Sequence, residues 1–152
     1  MLKDIRQVAI MVNDLESSVA LYSKVLGTKP TSGGDLPQFG LKNAVLPAGD
    51  GTFVELLQPV DPKSGGARFL QQRGEGLYLL ICEVDNLPEM VKHLKSKGVQ
   101  TTGESERPDA RSVFLHPRTV NGVFIELVEP RGRNPWPDAG PGPDLSGQAG
   151  LA

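Results

Sequence analysis

Two glutamates stand in segments that read almost alike. Glu55 lies in Phe53-Val-Glu-Leu-Leu-Gln-Pro59 and Glu126 in Phe124-Ile-Glu-Leu-Val-Glu-Pro130. In a strand, alternation turns each carboxylate to the face opposite its immediate apolar neighbours. A solvated strand face is the plain reading. The chemical one is that two carboxylates brought into one cleft repel and desolvate each other. At least one pKa then rises, and an acid stands beside a base, a pair suited to moving protons on and off carbon. Gln7 is on the same face of its strand and can donate amide hydrogens to a carbonyl or enolate oxygen, or make a structural hydrogen bond. His116 ends a strand before Pro117, a rim position where it meets a ligand or stabilises a turn.

Other chemistries lack their residues. There is no Ser-His-Asp order, no Cys-x-x-Cys and no HExxH. Ser32-Gly-Gly34 and Ser64-Gly-Gly66 read as turns, because no Lys-Ser/Thr follows and neither has the strand-to-helix context of a phosphate loop. Arg68, Arg73, Arg111 and Arg118 are candidates for a phosphate-bearing tail, with ordinary surface arginine as the alternative.

The elements that must position these residues come in two copies. Val8 to Val12 reads as a strand, and Asn13-Asp14 supplies an N-cap for a helix with Leu15, Val19, Tyr22, Val25 and Leu26 on one face, stopped by Gly27. A turn-rich stretch from Thr31 to Pro37 leads to strands Leu41 to Leu46 and Thr52 to Leu57, joined as a hairpin. The second half repeats the order. Leu77 to Val84 is a strand, Asp85-Asn86 precedes a helix bearing Leu87, Val91 and Leu94 and ending at Gly98, and strands follow at Ser112 to Leu115 and Gly122 to Val128. Val12-Asn-Asp-Leu matches Val84-Asp-Asn-Leu at nearly the offset that relates the two glutamate segments, which marks a duplication. A linking helix is expected over about 66–73. The fold class predicted is α+β: two tandem βαβββ modules, at about 4–60 and 76–130, forming one curved sheet and cleft. The Pro/Gly-rich tail 131–152 reads as disordered or draped on the surface, with Trp136 as an anchor to the body or to a second subunit.

Composition fits one domain of 152 residues with 38% hydrophobic content. A formal net charge of -2 gives no nucleic-acid footprint. No early apolar segment reaches signal or membrane-spanning length, and the one cysteine, Cys82, excludes an internal disulfide. A cytoplasmic location follows as an expectation, with neither membrane nor nucleic acid as a partner.

With the duplication in view, Val8-Ala-Ile-Met-Val-Asn-Asp-Leu-Glu16, Arg73-Gly-Glu-Gly76, Phe114-Leu-His-Pro117 and Gly122-Val-Phe-Ile-Glu-Leu127 resemble the vicinal-oxygen-chelate superfamily, in its methylmalonyl-CoA epimerase branch. The similarity covers about residues 4–130. It implies a cleft between the two modules and a divalent metal held at four positions, which are Gln7, Glu55, Leu79 and Glu126 in this chain. The epimerases have histidine at the first and third. Leucine has no lone pair, so Gln7, Glu55 and Glu126 remain as three oxygen donors, a set that prefers Mg²⁺ or Mn²⁺ to Zn²⁺ and holds it weakly or not at all. No cofactor is firmly implied beyond that. Where the family has a catalytic glutamate in Pro-Glu-x-Gly, this chain reads Leu36-Pro37-Gln38-Phe39-Gly40. Leu79 is expected to narrow and dry the cleft, and Tyr78, its neighbour, to point away.

Two functions remain open. One is an isomerase, epimerase or lyase in which Glu126 and Glu55 exchange protons next to a carbonyl of a small acyl-CoA or oxo compound. There Gln7, Gln38, Leu79 and His116 contact the substrate. The alternative is a non-catalytic antibiotic- or metabolite-binding protein of the same fold. Retention of both glutamates favours the first, since buried like charges are costly in a site that only binds. A homodimer is expected from the resemblance.

Overall fold

The computed structural model describes residues 1–49 and 51–131. Strands are β1 (Leu2–Met11), β2 (Ser32–Leu36), β3 (Leu41–Gly49), β4 (Thr52–Pro59), β5 (Gly76–Val84), β6 (Thr101–Glu106), β7 (Ala110–Leu115) and β8 (Ile125–Pro130). Helices are α1 (Leu15–Leu26), α2 (Gly65–Arg73) and α3 (Leu87–Ser96), with short 3₁₀ turns at Pro37–Phe39 and Pro117–Thr119. The class is α+β. The described residues form two compact units: one holds residues 1–8 and the chain from Tyr78 on, the other Ala9–Leu77. Trp136 and the tail beyond Arg131 lie outside the described residues.

In the unit 9–77 the strands run β2-β3-β4, with the end of β1 beyond β4. All pairs among β2, β3 and β4 are antiparallel. One face of β4 carries Val54 and Leu56, which pack with Val12 and Leu46 beneath Leu15, Val19 and Tyr22 of α1. Glu55 is therefore on the other face. Asp14 caps α1 by accepting from the Ser17 amide at 2.8 Å, and Gln58 Oε1 of β4 accepts from Leu15 N at 2.7 Å.

The other unit repeats this design. Its strands run β5-β8-β7-β6; β5 and β8 are parallel, and the β8–β7 and β7–β6 pairs are antiparallel. Leu80, Cys82 and Val84 of β5, Val113 and Leu115 of β7 and Leu127 of β8 pack with Leu87, Met90, Val91 and Leu94 of α3. Asn86 caps α3 through the Glu89 amide at 3.0 Å, and Glu129 Oε2 of β8 accepts from Leu87 N at 2.5 Å. Gln58 and Glu129 are thus equivalent: each pins the first amide of its helix, which has no partner inside the helix. Glu129 also takes two bonds from Arg111, at 2.9 and 2.8 Å.

Several sequence expectations are corrected. Val25 is 64% exposed, because it lies at the margin of the α1 stripe in the last turn before Gly27. The stretch 31–37 holds β2, and Ser32-Gly-Gly34 is strand rather than turn. Glycine is needed there, since a Cβ at Gly33 would meet the Asn43 carbonyl oxygen of β3 at 2.5 Å. Ser64-Gly-Gly66 is a helix start, with Ser64 Oγ accepting from Ala67 N. The strand expected over 122–128 begins only at Ile125, because Asn121 and Gly122 take positive φ angles of 60° and 78° in a turn. β6, with no apolar residue to announce it, went unforeseen.

Glu83 of β5 is 4% exposed and held by Arg6 Nε at 2.6 Å and Lys3 Nζ at 3.0 Å. Burial alone would raise its pKa, and the two cations outweigh that and hold it below the ordinary value. Burial likewise opposes, and Arg111 with the Leu87 amide overrides, at Glu129. For a depressed carboxylate, stability is whole above the unfolded pKa of about 4.3 and is lost as pH falls through the folded value. Glu83→Gln with Glu129→Gln is therefore expected to lower stability at neutral pH and to flatten its fall below about pH 5, measured by denaturant titration across pH. Asn86→Ala is expected to cost about 1 kcal/mol as a midpoint shift at unchanged slope.

Candidate active site

Glu126 stands in β8 between Ile81 of β5 and Phe114 of β7, its partners in register. Its face is the one opposite α3, shared with a cluster of Ile81, Ala110 and Val128 against which Leu79 packs. Burial among these groups pushes the Glu126 carboxyl above the usual range; a hydrogen bond from the Ser112 hydroxyl and the charge of Arg107 pull the other way and do not cancel it. Phe114 stacks on Phe124 with centroids 4.9 Å apart, and Tyr78 packs on Phe124 at 5.6 Å. Tyr78 was expected to point away. It sits at the start of the strand, where its ring reaches the aromatic group beside Glu126.

Gln7, in β1 of the same unit, is 6% exposed. His116 is committed to its turn: its Nδ1 accepts from Arg118 N at 3.3 Å and its carbonyl accepts from Thr119 Oγ1 at 2.8 Å. Of the arginines considered for a phosphate tail, Arg111 is taken by Glu129, and Arg73 lies over the Phe69 ring at 5.8 Å.

In the unit 9–77, Glu55 is half-buried on β4, opposite Val45 of β3. The Asn43 side-chain amide donates to its Oε1 at 3.3 Å. Gln38 is exposed at the tip of a short 3₁₀ turn. Gly40 closes that turn at φ 64°, and its carbonyl accepts from Val60 N and Asp61 N at 2.9 and 3.1 Å.

Sequence reasoning passed over Asn43, Ser112 and Arg107. The signal for the first two was faint, as each follows a charged residue, Lys42 or Arg111, at the polar start of a strand that then turns apolar. A cavity of ≈ 540 Å³ lies between α3 and the β6–β7 edge; Arg111, a candidate for a phosphate-bearing tail, lines it, and Glu55, Glu126, Gln7, Gln38, Leu79 and His116 do not.

Of the four positions that the resemblance implies for a metal, one carries no donor atom. Leu79 offers only carbon and packs in an apolar cluster, and among the described residues no three His, Cys, Asp or Glu side chains gather as a metal site.

Residues 6–116 match the model of the Glyoxalase/Bleomycin resistance protein/Dioxygenase superfamily. The chain belongs to that family. It is 35% identical over 129 residues to human mitochondrial methylmalonyl-CoA epimerase, covering 82% of this chain and 73% of that protein. Among solved structures, methylmalonyl-CoA epimerase from Mycobacterium tuberculosis superposes with a TM-score of 0.77 at 33% identity, over 86% of this chain and 90% of the other. A methylmalonyl-CoA epimerase in complex with methylmalonyl-CoA and NH4+ superposes with a TM-score of 0.77 at 26% identity, over 85% and 95%. Among the described residues no helix is long and apolar enough to cross a membrane.

A carboxyl raised by burial binds a proton more tightly folded than unfolded, so it withdraws stability as pH rises from the unfolded pKa, about 4.3, to the folded one. Carboxyl ¹³C titration is expected to give Glu126 a midpoint above the ordinary glutamate value. Ser112→Ala is expected to move it higher, because the Ser112 bond lowers it; a downward move would contradict the assignment.

Proposed function

We propose that this protein transfers a proton next to the carbonyl of a small acyl-CoA, as an epimerase-like isomerase whose site departs from that of its relatives. Glu126 and Glu55 are the two proton carriers, and Gln7 and Gln38 polarise the carbonyl and stabilise enolate charge. The observation that carries the reading is the Glu126 carboxyl. It is held among apolar side chains, raised by burial, and keeps a hydroxyl partner in Ser112 that serves either protonation state. Such a group keeps its proton to higher pH than a carboxyl on a solvated strand face does.

The substrate class rests on the relatives, which are methylmalonyl-CoA epimerases, one of them bound to methylmalonyl-CoA. Epimerisation needs a base on one face of the carbon and an acid on the other. In this chain the residue in the Pro-x-x-Gly turn is Gln38, so the second proton falls to Glu55. The reaction is proposed to proceed without a tightly held metal, in the cytoplasm, by a homodimer. A second reading, a binding protein of the same fold, draws on Leu79, which supplies an apolar wall where the epimerases have a ligand.

The deciding experiment incubates the purified protein with methylmalonyl-CoA and other short acyl-CoA esters in D₂O, following deuterium at the carbon next to the thioester and thermal stability in parallel. Deuterium incorporation is expected, reduced at least about 100-fold by Glu126→Gln and little changed by EDTA. Stabilisation by the esters without incorporation would establish the binding reading instead. No response of either kind would remove the acyl-CoA assignment.

A further inference from the structure

The two glutamates have equivalent partners that differ in kind. In each hairpin the residue opposite the glutamate is apolar or aromatic, Val45 for Glu55 and Phe114 for Glu126. Two residues earlier on that partner strand is the side chain that bonds the carboxylate: Asn43 for Glu55 and Ser112 for Glu126. The duplication therefore keeps one polar holding position per glutamate and fills it with an amide in one copy and a hydroxyl in the other.

The amide has a fixed sense. The Gly34 backbone N–H of β2 donates to Asn43 Oδ1 at 3.1 Å, and Asn43 Nδ2 donates to Glu55 Oε1 at 3.3 Å. An asparagine side chain has one acceptor and one donor end, and the Gly34 amide claims the acceptor. The donor end is left facing Glu55. Gly33 makes the approach of β2 possible, since any Cβ there would collide with the Asn43 carbonyl oxygen. A serine hydroxyl, by contrast, rotates and can either donate or accept.

We propose that Asn43 is a positioning residue for Glu55: clamped by the Gly34 amide, it holds that carboxylate as a hydrogen-bond acceptor in one orientation, and so sets Glu55 apart from Glu126 as the base of the pair. The inference deepens the proton-transfer reading above and rests on it for its catalytic consequence. The clamp itself does not depend on that reading.

The test uses the full chain with Asn43→Ala, Asn43→Asp and Asn43→Ser, read for deuterium exchange into methylmalonyl-CoA, thermal stability and amide hydrogen exchange. Asn43→Asp keeps the shape and an acceptor for Gly34 N–H but turns a carboxylate toward Glu55. If Asn43 were only a packing residue, this isostere would be the mildest change. As a positioning residue it is expected to be at least as damaging as Asn43→Ala, each lowering kcat on the order of 10-fold with KM nearly unchanged. Asn43→Ser, which restores a donor, is expected to recover part of the loss. Near wild-type kcat in Asn43→Asp, or a fall in kcat that simply tracks thermal stability across the three variants, would overturn the catalytic role.

Amide exchange reads the clamp separately. Protection at Gly34 is expected to be lost in Asn43→Ala and kept in Asn43→Asp. Unchanged protection at Gly34 in Asn43→Ala would overturn the clamp whatever the activity. If the wild-type protein transfers no deuterium while Gly34 responds as expected, the clamp stands, and what falls is the proton-transfer reading together with the catalytic role drawn from it.

Discussion

The two-residue pleat of the β-strand governs where every group of interest stands. In β8, Ile125 and Leu127 face α3 while Glu126 and Val128 face the other way. In β4, Val54 and Leu56 face α1 and Glu55 does not. A helix packed on one face fixes the register, because a slip of one residue would drive a carboxylate under the helix and expose a leucine. Helix packing and the orientation of the glutamates are therefore a single constraint, satisfied once in each unit.

The helices are fastened to their sheets in the same duplicated manner. Asp14 and Asn86 cap α1 and α3, and Gln58 and Glu129 reach from the last strand of each hairpin to the amides of Leu15 and Leu87. Because Gln58 and Glu129 each stand three residues beyond a glutamate, on the helix side of the same strand, the anchor and the carboxylate share one short segment. That shared segment accounts for the close likeness of the two sequences around Glu55 and Glu126.

Much of this was legible before the structure. Apolar alternation and paired N-cap signals locate β1, α1, β4, β5 and α3, since each signal rests on local chemistry. Elements held by long-range contacts were not legible. β2 is Ser-Gly-Gly-Asp-Leu and β6 is Thr-Thr-Gly-Glu-Ser-Glu, both without an apolar face, and they exist because β3 and β7 offer them backbone partners. For the site, sequence supplied the glutamates but not their holders, because Asn43 and Ser112 acquire meaning only from the cross-strand register. His116 illustrates the converse: a residue of reactive type whose Nδ1 accepts from the backbone of its own turn.

Cys82 sits in the cluster beneath α3, and burial raises its thiol above the ordinary value. As the chain has no other cysteine, a thiol reagent meets a nucleophile only when that cluster opens. Labelling kinetics at this one atom would then time the departure of α3 from its sheet, without any introduced probe.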